Sequence, residues 1–185
     1  HGRWTWVPPW GWTWIDFAPW GFAPFHYGRW AFVRSRWCWV PGPRHRHPIY
    51  APAHVAWVGG HRDFSRGHRP IGWFPLGPRE VYVPGHRVSP RYLRNVNVSN
   101  AHIDNNAHIT NVYRRRVGDV RYSNRDVPGA FRSMPSESFA SGQPVPRQGW
   151  RSGRGREACF GEVSGNPAVE PLRRFRIHSP PQSAV

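Results

Sequence analysis

The sequence predicts an all-β fold of short antiparallel, aromatic-rich strands arranged in repeat units. Three observations carry that expectation. An aromatic–x–aromatic–aliphatic unit recurs as Gly2-Arg3-Trp4-Thr5-Trp6-Val7, Gly11-Trp12-Thr13-Trp14-Ile15, Gly28-Arg29-Trp30-Ala31-Phe32-Val33 and Ser35-Arg36-Trp37-Cys38-Trp39-Val40. Alternation of period two marks strands, and aromatic side chains favour them. The units are punctuated by Pro8-Pro9, Trp20-Gly21, Tyr27-Gly28 and Pro41-Gly42, which read as turns. Finally, 19 Gly and 21 Pro in 185 residues leave too little uninterrupted chain for a helical bundle.

Composition divides the chain into three parts. Residues 1–90 form a Trp/Pro/Gly-rich β-repeat domain. His1-Gly2-Arg3-Trp4 matches the end of the unit seen whole at His26-Tyr27-Gly28-Arg29-Trp30, so this domain is expected to be truncated at its N-terminus, with further copies upstream. Within it, Ile71–Leu76 and Glu80–Pro84 suggest two more strands, and residues 60–70 a mobile basic loop. Residues 91–139 contain a hexapeptide repeat, Asn100-Ala101-His102-Ile103-Asp104-Asn105 followed by Asn106-Ala107-His108-Ile109-Thr110-Asn111. Two copies cannot bury a solenoid core, so an extended Asn-rich arm is expected. Residues 140–185, rich in Ser, Gly, Pro and Arg, read as a disordered basic tail.

The net charge is +16, and all 26 basic residues are Arg. Such a chain attracts polyanions, although a GC-rich genome yields a similar composition. Two cysteines make neither a disulfide framework nor a zinc site, and Cys38 is expected to be a buried, inert thiol. No apolar run approaches the roughly 20 residues of a membrane-spanning helix. The chain begins at His1 without a visible signal peptide, which suggests a processed protein or an excised piece.

The strongest constellation is aromatic. Trp12, Trp14, Trp20, Tyr27, Trp30, Trp37 and Trp39 suit a ligand platform for sugar rings or a peptide, or alternatively fill the core of a domain poor in Leu and Ile. Arg29, Arg34, Arg36, Arg114, Arg115 and Arg116 are candidate polyanion contacts. The competing reading has Arg side chains packed across Trp faces within the sheet. The histidine pairs His45/His47, His61/His68 and His102/His108 lack the spacing of a zinc motif, so no metal site is assigned. No Gly-x-Ser-x-Gly occurs, and Asp16, Asp63 and Glu80 are scattered, with Asp16 placed to cap a turn. Neither an enzyme nor a cofactor is expected.

Trp10-Gly11-Trp12-Thr13-Trp14-Ile15-Asp16, the run Ala18 to Trp30, Trp37-Cys38-Trp39-Val40-Pro41-Gly42 and Gly72-Trp73-Phe74-Pro75-Leu76-Gly77-Pro78 carry a resemblance. The Asn95–Asn111 stretch and Val127-Pro128-Gly129-Ala130 extend it. The chain resembles an uncharacterised family of exported, proline- and tryptophan-rich bacterial proteins that often carry an upstream FecR-like domain. The resemblance implies export to the periplasm, outer envelope or extracellular space, and implies no known activity. The expected role is a non-catalytic structural or adhesive protein of the envelope or matrix, able to self-assemble through exposed strand edges. The alternatives are a carbohydrate-binding module for cell-wall or extracellular polysaccharide, and a basic polyanion or nucleic-acid binder. Expected partners are other protein chains, whether copies of itself or envelope components, or polysaccharide; nucleic acid is not favoured.

Overall fold

Each recurring aromatic unit forms one strand. In the computed structural model, which describes residues 1–58, 70–103, 105–114, 120–146, 163–164, 167 and 169, β1 (Gly2–Val7) pairs antiparallel with β2 (Gly11–Asp16). Trp4 lies opposite Trp14, and Trp6 opposite Trp12. The short α1 (Phe22–His26) leads to a second hairpin, β3 (Arg29–Val33) with β4 (Arg36–Val40). Here Trp30 opposes Trp39 and Phe32 opposes Trp37. Directly opposed residues share a face, as do residues two apart, so each hairpin collects its aromatics on one side.

The centre of the molecule is an antiparallel sheet of β5 (Val55–Val58), β6 (Pro70–Pro75), β7 (Arg132–Pro135) and β8 (Val163–Ser164), ordered β7-β6-β5-β8. Both its faces are covered. Ala56, Val58 and Phe74 pack with Leu93, Val96, Ile109 and Val112 from α2 (Pro90–Asn100) and α3 (Asn106–Arg114). Trp57, Ile71 and Trp73 point the other way, into a cluster with Trp4, Trp12, Trp14 and Phe139 of α4 (Ser136–Ala140). Alternation along β5 and β6 thus feeds two cores, with helices on one side and the Trp face of β1–β2 on the other.

The all-β expectation holds for the small antiparallel sheets and is corrected by the four helices among the described residues. The Asn-rich stretch is not an extended arm. Ser89 Oγ accepts from the Tyr92 N–H (3.1 Å) and Pro90 opens α2, a sound helix start. Leu93, Val96, Asn97 and Asn100 follow at helical spacing and are all buried. Two of these positions are asparagine, which hides the apolar stripe from a reading that counts hydrophobic residues. The expected strand at Glu80–Pro84 is irregular, because the Asn97 side chain takes both the N–H and the C=O of Tyr82 and leaves no strand pairing there. Cys38 is exposed rather than buried, since β4 turns nearly its whole length to water. In the tail, Val145 N–H bonds Gly2 C=O (2.8 Å) and β8 pairs with β5. The greater part of the expected disordered tail, with Cys159, lies outside the described residues, as does most of the expected basic loop.

Candidate functional site

Among the described residues, the hydrogen bonds that fasten the β3–β4 hairpin lie at its base. Gly28 N–H donates to Asn100 Oδ1 (3.0 Å) and has φ +69°. A Cβ at Gly28 would stand 2.5 Å from the Val40 carbonyl oxygen, so this position requires glycine. Next to it Arg29 is fully buried. Its guanidinium donates to the Gly28 C=O (3.0 Å), the Glu80 C=O (3.3 Å from both Nε and Nη2), Asn97 Oδ1 (3.2 Å) and His54 Nδ1 (2.8 Å). Burial pulls the Arg29 pKa down to about 9, opposed by the nearby Glu80 carboxylate, so the charge survives at neutral pH. That carboxylate is held by the N–H groups of Gly77 (2.6 Å) and Ser123 (2.6 Å) and by the Ser123 hydroxyl (2.7 Å). The sequence offers Arg29 as a polyanion contact. Buried among these acceptors, it instead staples the hairpin to α2.

Beyond that base, both faces of the hairpin reach water. Trp30 Nε1 donates to Pro24 C=O (3.1 Å) and Trp39 Nε1 to Tyr27 C=O (2.9 Å), which fixes two of the four rings on the aromatic face. Phe32 and Trp37 contact each other at 5.2 Å. Phe32, Trp37 and Trp39 are 37, 36 and 41 % exposed, and Val33 on the other face is 51 % exposed. Arg34 (φ 48°) and Ser35 (φ 61°) form the two-residue turn in the left-handed region, a conformation that matches strand twist but normally draws Gly or Asn. Arg34 and Arg36 are exposed at this tip.

The aromatic face runs into a cavity of about 450 Å³ walled by Trp4, Trp14, Phe25, Trp30, Trp37 and Trp73, with His54 and Arg132 also lining it. Arg29 can only donate, so His54 Nδ1 accepts and the ring proton sits on Nε2. His54 Nε2 and Trp4 Nε1 are buried and have no hydrogen-bond partner among the described residues. Burial holds His54 well below the usual histidine range, helped by the charges of Arg29 and His26 and opposed by the His26 carbonyl. Burial likewise lowers His26, whose Nδ1 meets the Ala51 C=O at 2.8 Å.

The expected platform is therefore divided. Trp14, Trp30 and Trp37 meet at the cavity, and Trp39 extends the hairpin face. Trp12 is core, in contact with Phe139 at 4.3 Å. Tyr27 is half-buried, and Trp20 lies outside the cavity lining and is 65 % exposed; Phe17 and Phe22, near it in sequence, are exposed as well. Of the candidate arginines, Arg34 and Arg36 are together at the tip, Arg114 is exposed at the end of α3, and Arg115 and Arg116 lie outside the described residues. Phe32 joins the site although the platform assignment omitted it; its place in the third repeat unit is the signal. Phe25, His54, Trp73 and Arg132 carry no comparable sequence signal. Asp16 does cap a turn, its Oδ1 accepting from Ala18 N–H (2.8 Å). Among the described residues no group of three His, Cys, Asp or Glu could hold a metal ion, and no helix is long and apolar enough to cross a membrane.

No curated protein and no solved structure matches the chain. Residues 1–80, which span both aromatic hairpins, β5 and β6, match the model of a family of unknown function (DUF6600), consistent with the uncharacterised family that the repeat residues resemble.

Proposed function

We propose that the chain is a non-catalytic adhesive or structural protein of the bacterial cell envelope or extracellular matrix, exported from the cytoplasm, that engages its partners through the β3–β4 hairpin. One observation supports this above the others. Four aromatic side chains share one face of a hairpin anchored at its base, and three of them are more than a third exposed. A folded chain rarely leaves such a patch in water without a use for it. Of the carboxylates among the described residues, Glu80 is taken up by Gly77 and Ser123, and Asp16 by its turn and the Trp14 indole.

The test is retention of the full chain on insoluble cell-wall material, together with sedimentation velocity for self-association. The expected result is retention or self-association that Trp37→Ser weakens while the melting temperature stays unchanged. A monomer retained by nothing would overturn the reading.

The cavity favours a second reading, a carbohydrate-binding module. Trp14, Trp30, Trp37 and Trp73 line a space of about 450 Å³, room for one sugar ring against indole faces. On that reading a neutral oligosaccharide shifts Trp emission independently of salt.

A further inference from the structure

We infer that the distal half of the β3–β4 hairpin is a membrane-interface anchor that inserts into the headgroup region of an anionic lipid bilayer. This rests on the adhesive reading above and names the surface that the hairpin engages.

The first argument is shape. Past Ala31, both faces of the hairpin reach water, and both carry apolar groups: Phe32 and Trp37 on one, Trp37 also bordering the cavity, and Val33 and Cys38 on the other, with Arg36 opposite Val33. A groove for a peptide or a flat glycan would need one contact face, with the other made polar. Apolar groups on both sides of a narrow tip suit immersion, where every side of the tip meets the same medium. Indole rings favour the headgroup level of a bilayer, where an apolar ring and a polar N–H are both accommodated, and the phenyl ring of Phe32 beside Trp37 adds apolar area.

The second argument is charge. Residues 17–62 contain no Asp or Glu, while Arg34 and Arg36 flank the turn and Arg44, His45, Arg46 and His47 follow β4 in an exposed loop. Guanidinium groups fork onto phosphate oxygens, and their apolar stems lie along the same surface as the rings. A second copy of the chain is the weaker occupant, because +16 meets +16. The left-handed backbone at Arg34 and Ser35 keeps the tip narrow, with two residues between the strands.

The experiment is co-sedimentation of the full chain with vesicles of phosphatidylcholine alone and of phosphatidylcholine mixed with phosphatidylglycerol, at low and high salt. Heparin and single-stranded DNA serve as competing polyanions. The exposed Cys38, labelled with an environment-sensitive dye in a Cys159→Ser background, reports immersion independently. The expected result is binding to the phosphatidylglycerol vesicles only, with a blue shift of the dye. Arg34→Gln and Arg36→Gln should each weaken binding about five-fold. The Phe32→Ser/Trp37→Ser double variant should weaken it at least about ten-fold with unchanged melting. Absence of vesicle binding, or binding that ignores the aromatic variant and leaves the dye in water, overturns the inference. So does tighter, ring-dependent binding to heparin or DNA. Loss of lipid binding with cell-wall retention or self-association intact sinks this inference alone; loss of all three sinks the adhesive reading too.

Discussion

Two hairpins in this molecule begin with the same three residues and dock by opposite faces. In β1, Gly2-Arg3-Trp4, the arginine is exposed and the indole is 1 % exposed. In β3, Gly28-Arg29-Trp30, the arginine is 0 % exposed and the indole is half-buried. The strand period fixes which residues share a face in both cases; it does not decide which face turns inward. That choice belongs to the neighbours. Trp4 meets the rings of Trp14, Trp57, Trp73 and Phe139 at 4.5 to 5.9 Å, an apolar wall that rewards burial of aromatic area. Arg29 meets a wall of acceptors from Gly28, His54, Glu80 and Asn97, and its burial leaves the rings of β3–β4 on the opposite face, where they border the cavity and water. One repeat unit thus supplies a core element in one copy and a surface in the other.

Substitutions break this contrast in a definite order. Trp4→Ala should cost about 3–5 kcal/mol in urea unfolding, since it empties the centre of the five-ring cluster. Arg29→Met should cost about 2–4 kcal/mol, because His54 Nδ1 and the Gly28 and Glu80 carbonyls lose the guanidinium donor, Asn97 Oδ1 keeps only the Tyr82 N–H, and the Glu80 carboxylate stays buried. Arg3→Met, at the same place in the repeat, should change stability by less than about 0.5 kcal/mol. Asn97→Leu should cost about 2–3 kcal/mol by orphaning both backbone groups of Tyr82 and one Arg29 donor.

Acid sharpens the same comparison. His26 and His54 titrate below the ordinary 6.5 when folded, and near 6.5 when unfolded. As pH falls below that value the unfolded chain takes up protons that the native state refuses, so stability drops by up to about 1.4 kcal/mol per pH unit for each histidine. Above the unfolded value the contribution is fully present. A pH series of urea midpoints should show this slope, and His26→Gln should reduce it. At Trp37, as at Arg3, substitution has a small effect: alanine should change stability by less than about 0.5 kcal/mol.

The four strands of both hairpins were legible from the alternation, because that is a local property; the β3–β4 turn at Arg34-Ser35, which carries neither Gly nor Asn, was not. Nor was the direction of docking. Arg29 and Arg3 repeat the same local pattern, and the acceptors that separate them come from far along the chain: His54, the Glu80 carbonyl and the Asn97 side chain, 25, 51 and 68 residues away. Helix α2 escaped notice for a related reason. Asn97 and Asn100 occupy core-facing positions that a hydrophobicity pattern counts as polar, yet both are saturated by hydrogen bonds to backbone carbonyls and N–H groups. The cavity draws on Phe25, His54, Trp73 and Arg132 at once, and no periodicity joins positions so far apart.

The most direct test of the inversion is fluorine NMR of the 5-fluorotryptophan protein with a water-soluble paramagnetic agent, each ring assigned by Trp→Phe substitution. The account predicts that Trp37 and Trp39 broaden at low agent while Trp4, Trp12, Trp14, Trp57 and Trp73 stay sharp. Equal protection of Trp37 and Trp4 would contradict it, placing both aromatic faces in the core and removing the surface on which the proposed function depends.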